Sequence, residues 1–100
     1  MWQSMSMHIL VVDDDQAVRD SLARSLQYGS GYEVSTAEDG LEALAKLSST
    51  RPDAVVMDVM MPRLDGYQTC ALIKKNPRFR GTPVIMLSSK DGLFDRARGR

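Results

Sequence analysis

His8-Ile9-Leu10-Val11-Val12-Asp13-Asp14-Asp15 changes character in one step, from an almost wholly aliphatic run to three consecutive carboxylates. A short unbroken apolar run is what a parallel strand covered on both faces requires. Three further runs match it: Tyr32-Glu33-Val34-Ser35, more polar and so expected near an edge, Ala54-Val55-Val56-Met57, and Val84-Ile85-Met86-Leu87. Helical patterns separate them. Asp15 can cap a first helix running towards Gln27, with Val18, Leu22 and Leu26 as its stripe and Gly29 and Gly31 at its end. A second is expected from Gly40 to Ser48, with Leu41, Leu44 and Ala45 on one face. A third should run from Asp65 to Lys75, with Tyr67, Cys70 and Ala71 facing inward and Asn76-Pro77 as its stop. A fourth begins near Asp91.

The order β-α-β-α-β-α-β predicts an α/β fold, an open doubly wound parallel sheet with helices on both faces and right-handed crossovers. Such sheets take ligands outside the carboxyl ends of their strands, where the strand order reverses. Asp13 and Asp14 follow the first strand, Asp58 the third and Ser88 the fourth, so all are expected on that edge. Crowded carboxylates repel by about 1 kcal/mol per pair at ~4 Å in water, and by more when partly buried. They call for a cation or a proton, and an oxygen-only donor set with no nearby thiol or imidazole favours Mg²⁺. A carboxylate can also attack phosphorus and become an aspartyl phosphate. A divalent ion then offsets the incoming charge, and the Ser88 hydroxyl can donate a hydrogen bond to the phosphoryl group.

Composition narrows the function classes. One hundred residues suit one domain, and 43% hydrophobic with 26% charged residues is ordinary for a globular chain. The formal net charge is zero, which does not suggest nucleic-acid binding. A single cysteine, Cys70, rules out an internal disulfide, and with His8 as the only histidine a structural zinc site is nearly excluded. No apolar run approaches the roughly 20 residues of a membrane helix. Residues 1–7 lack the basic start and apolar stretch of a signal peptide and read as a disordered leader before a domain at 8–100. These readings together favour the cytoplasm.

Three segments then resemble one family. Ile9-Leu10-Val11-Val12-Asp13-Asp14-Asp15 resembles the opening of a response-regulator receiver domain. Asp58-Val59-Met60-Met61-Pro62-Arg63-Leu64-Asp65-Gly66 is similar to the family's phosphorylation segment, and Pro83-Val84-Ile85-Met86-Leu87-Ser88-Ser89 to its fourth strand and hydroxyl switch. The resemblance covers residues 8–100 and implies a flavodoxin-like sheet of order 2-1-3-4. It implies that Asp58 accepts phosphate from a sensor histidine kinase or another phosphohistidine donor. Asp14 would bind Mg²⁺ directly, Asp13 would assist, the Met60 backbone carbonyl would add a ligand, and Ser88 would swing towards phosphorylated Asp58. Such a domain is a phosphoacceptor in two-component signalling, with at most weak self-catalysed phosphotransfer and dephosphorylation. Residues 8–66 resemble receivers joined to DNA-binding effectors, and residues 67–99 resemble stand-alone receivers of the twitching-motility and chemotaxis type.

The family pattern continues into a fifth strand, which carries an aromatic switch residue and ends in a lysine, and then a fifth helix. The 100 residues reach neither, and Lys90 leaves from a different strand and is not equated with that lysine. The expectation is an incomplete receiver whose fourth strand forms an edge that invites a homodimer or an exchange of elements, or else an unstable truncated fragment. The bland readings are a solvated turn at Asp13-Asp14, a helix cap at Asp65-Gly66, an idle hydroxyl at Ser88, an inert apolar Cys70 and a solvated Arg96/Arg98/Arg100 face. A receiver-like interaction module that no longer switches is the competing function. A phosphohydrolase would want an aspartate where Met60 stands, and a nucleotide fold would want glycines where the three aspartates stand.

Overall fold

The computed structural model of the chain describes residues 7–61 and 63–87. Strands β1 (His8–Val12), β2 (Glu33–Ala37), β3 (Ala54–Asp58) and β4 (Val84–Leu87) alternate with helices α1 (Gln16–Arg24), α2 (Gly40–Thr50) and α3 (Gly66–Lys75). All pairings are parallel, and the order is β2-β1-β3-β4, the flavodoxin-like α/β arrangement expected. The leader residues 1–6, Pro62, Ser88, Lys90, the helix expected near Asp91 and the Arg96/Arg98/Arg100 group lie outside the described residues.

The unbroken apolar reading of β1 follows from its place between β2 and β3. Leu10 and Val12 point to one face of the sheet and join Val55, Met57, Ala43, Leu47, Ile73 and Phe79 in the larger core. Ile9 and Val11 point to the other face, where Leu22 and Leu26 pack against them. Alternate residues of one strand thus serve two cores, which is why no polar residue interrupts it.

Each helix starts on an aspartate. The Asp15 carboxylate accepts the amides of Ala17 and Val18 at 2.9 and 3.3 Å. Asp39 accepts the Glu42 amide at 2.8 Å. Asp65 and Gln68 form a reciprocal capping box, with bonds of 2.8 and 3.0 Å. Each cap satisfies amides that the first turn leaves without helical partners.

Several expectations needed correction. The first helical segment changes to π-helix over Ser25–Gly29, and the Tyr32 amide returns to the Leu26 carbonyl at 3.2 Å. β2 extends to Ala37, because the polar Ser35 and Thr36 suit an outer strand. Asp58 ends β3 instead of following it, paired with Leu87. On α2 the buried residues are Gly40, Ala43 and Leu47, with Leu44 half-buried, while Leu41 and Ala45 are exposed. On α3 the buried residues are Gly66, Thr69 and Ile73. Tyr67, expected inside, is 65% exposed, and Ala71 is also outside. A Cβ on Gly40 would overlap the Thr69 hydroxyl, so α2 and α3 approach too closely there for a large side chain.

Candidate functional site

Register brings the acids together. Val12 pairs with Met57, so Asp13 and Asp58 emerge side by side from adjacent strands at the carboxyl edge. The Asp13 amide donates to the Ala37 carbonyl at 3.1 Å, which ties the turn to β2 as well. Asp13 Oδ1 accepts the Asp15 amide at 2.9 Å, and Arg19 Nη1 donates to the Asp13 carbonyl at 2.7 Å. The β1–α1 turn is therefore fixed by its own side chains.

Carboxylate oxygens of Asp13, Asp14 and Asp58 lie within 4.8 Å of one another. Asp13 and Asp58 are each only 1% exposed, and Asp14 opens the cluster to solvent. Shielding two of the three from water strengthens their repulsion beyond its aqueous value. Among the described residues, no other group of three or more Asp, Glu, His and Cys side chains could share an ion. The donor set contains only carboxylate oxygen, which fits a hard divalent cation such as Mg²⁺ and does not fit Zn²⁺ held by sulfur or nitrogen.

The loop after β3 closes tightly over its own start. The Gly66 amide donates to the Val59 carbonyl at 2.9 Å. A Cβ at Gly66 would lie 2.6 Å from the Asp58 carbonyl oxygen and 2.9 Å from Val59 Cα, so only glycine fits. Asp58 Oδ1 accepts the Met60 amide at 3.2 Å. Arg63 adopts φ 67° within the loop and forms an ion pair with Asp39, the cap of α2. Sequence reading assigned Gly66 a cap only; its close approach to Asp58 and the Arg63–Asp39 bridge were missed. A glycine directly after a capping aspartate was the available signal for the first, and nothing in the sequence signalled the second.

The Val59 amide donates to the Leu87 carbonyl at 2.9 Å, so β4 reaches the same edge as Asp58. Ser88 itself lies outside the described residues. After β2, the Glu38 amide holds the Glu42 carboxylate below its ordinary pKa; burial opposes this, and the hydrogen bond and charge of Lys46 assist it. Among the described residues, no helix is long and apolar enough to cross a membrane.

A doubly wound sheet whose carboxyl edge carries clustered carboxylates, in place of a glycine-rich phosphate cradle, is the arrangement expected of a receiver domain of two-component signalling proteins. The chain belongs to the response regulator receiver domain family, whose model matches residues 9–99. It is 56% identical over 98 residues to Protein PilG of Pseudomonas aeruginosa, covering 98% of this chain and 72% of PilG. It is 50% identical over 99 residues to Response regulator MprA of Mycobacterium tuberculosis, covering 95% of this chain and only 40% of MprA. The solved chemotaxis protein CheY4 of Vibrio cholerae superposes with a TM-score of 0.78 at 33% identity, covering 95% of this chain and 82% of that one.

Proposed function

We propose that the chain accepts a phosphoryl group on Asp58 from the phosphohistidine of a sensor histidine kinase or another phosphohistidine donor. The observation that carries this reading is the convergence of three carboxylates within 4.8 Å, with Asp58 at the buried end. An Asp58 oxygen attacks phosphorus, the phosphorus–nitrogen bond of the donor breaks, and the leaving imidazole takes up a proton. The Met60 amide orients one Asp58 oxygen, and the ring closed by Gly66 holds the backbone beneath it. Asp13, Asp14, Asp58 and the Met60 carbonyl would hold Mg²⁺, which when bound offsets the negative charge of the carboxylates and the incoming group. Ser88 would donate to the phosphoryl group. The chain turns over no substrate beyond slow loss of its own phosphate, and it works in the cytoplasm.

Phosphorylation by a small-molecule phosphodonor tests this reading. Label incorporation and fluoroberyllate binding should require Mg²⁺ and vanish in Asp58→Ala. An equal signal in that variant would refute the assignment.

A second reading is an interaction module that pairs with a second copy through β4. Among the described residues this strand lies at the sheet edge, with Ile85 51% exposed. An edge of this kind can pair with a second copy. Sedimentation at several concentrations, comparing wild type with Ile85→Lys, distinguishes a homodimer through β4 from a monomer.

A further inference from the structure

The amino edge of the sheet, opposite the carboxylate cluster, carries a cleft of about 320 Å³ between Arg51, Pro52, Arg78, Phe79 and Thr82. Arg51 and Pro52 lead into β3, and the other three lead into β4. The walls are built in advance. Pro52 and Phe79 are buried. The second loop is locked by Phe79 N–H to Asn76 carbonyl at 2.9 Å, Thr82 N–H to Phe79 carbonyl at 3.0 Å and Arg78 N–H to Asn76 Oδ1 at 3.0 Å. From α3, the Lys74 ammonium donates to the Arg80 and Thr82 carbonyls.

Two arginines line this cleft. Arg78 lies over the Phe79 ring, 5.5 Å from its centroid. Neither Arg51 nor Arg78 forms a side-chain hydrogen bond or ion pair with a described residue. The neighbouring acid, Asp53, is engaged by the His8 amide at 2.8 Å. Arg51 is also held in a conformation that disfavours it. It caps α2 at φ 47°, ψ 63°, a left-handed position where glycine is the usual choice. The cap itself needs no side chain, so an arginine kept there against its backbone preference suggests a role for the guanidinium.

We propose that this cleft binds a phosphate group, as the free anion or as the monoester of a small molecule, at a site separate from Asp58. Guanidinium forks match phosphate oxygens two at a time, and the Thr82 hydroxyl adds a third donor. The volume lies near the lower end of the roughly 300–1,000 Å³ typical of small-molecule sites, which suits a phosphate with a short substituent.

Amide chemical shifts of the full chain, titrated without Mg²⁺ at constant ionic strength, test the proposal with inorganic phosphate, glycerol 3-phosphate and glycerol. Saturable shifts should appear at Arg51, Arg78 and Thr82 with either phosphate compound and not with glycerol. Equal affinities identify the free anion as ligand, and tighter glycerol 3-phosphate identifies the ester. Arg51→Gly and Arg78→Ala should each weaken binding about tenfold. Arg51→Gly should also raise the thermal midpoint, so its lost binding cannot be ascribed to unfolding. Asp58→Ala should bind as wild type does. Shifts that never saturate, that centre on Asp13 and Asp58, or that persist unchanged in both arginine variants would overturn the proposal.

Discussion

The Gly66 amide and the Val59 carbonyl, 2.9 Å apart, close the loop that follows Asp58 into a ring with no space for a β-carbon. Gly66→Ala should therefore cost about 1–3 kcal/mol, as overpacking against backbone does. Gly81, where an added Cβ meets nothing within 4 Å, is the control. Gly81→Ala should be neutral or stabilising by up to about 1 kcal/mol. Urea midpoints of the two variants check the contrast, and equal losses would contradict it.

Crowded carboxylates should make the metal-free chain less stable than it could be. Asp58→Asn removes one charge from the trio and retains an oxygen for the Met60 amide. Stability in chelator should rise by about 1 kcal/mol for each repulsion relieved. The gain from added Mg²⁺ should shrink, because binding to the folded state stabilises by mass action and the variant binds more weakly. Thermal unfolding with and without Mg²⁺ reads both effects. A variant that gains as much from the ion as wild type would exclude Asp58 from the metal site.

Asp39 has two roles that mutation can separate. It caps α2 and pairs with Arg63. Asp39→Ala should cost about 1 kcal/mol through the lost cap. Arg63→Ala should cost only a few tenths of a kcal/mol, because its side chain is largely exposed. Arg63→Gly should recover that loss or exceed it, since φ 67° suits glycine. Equilibrium unfolding of the three variants checks the ranking.

Acid stability should carry a small contribution from Glu42, whose folded pKa lies below its ordinary value of 4.5, mainly through the Glu38 amide. A depressed carboxylate pKa stabilises the fold above the unfolded value, and the effect fades as pH falls through the folded one. The side chain is 38% exposed, so solvent screening limits the contribution to a few tenths of a kcal/mol. Glu42→Gln should flatten the stability profile below pH 4.5 and leave its shape near neutrality unchanged. Urea unfolding across that range checks it.

The acidic edge was legible because each contributing strand is a short apolar run ending in acid, and a parallel sheet sends such ends the same way. Asp13, Asp14 and Asp58 needed no further information. The inner face of α3 was not legible, because burial there follows closeness of approach more than hydrophobicity. Tyr67 is the more apolar residue, but Thr69 is the one small enough to face Gly40. The π-helical turn left no trace either, since Leu22 and Leu26 keep their places against β1 while the hydrogen-bond spacing beneath them changes. The Arg63–Asp39 bridge joins residues 24 positions apart across two loops, and no periodicity reports it.

Parallel strand direction also sorts charge. Asp13, Asp14, Asp15 and Asp58 gather at one end of the strands, while Arg51, Arg78 and Arg80 outnumber Glu33 and Asp53 at the other. Among the described residues, charge is therefore separated along the strand direction. An approaching charged molecule would exert a torque on this arrangement, turning it before contact. Its association rates would then respond to ionic strength as those of a charged protein do.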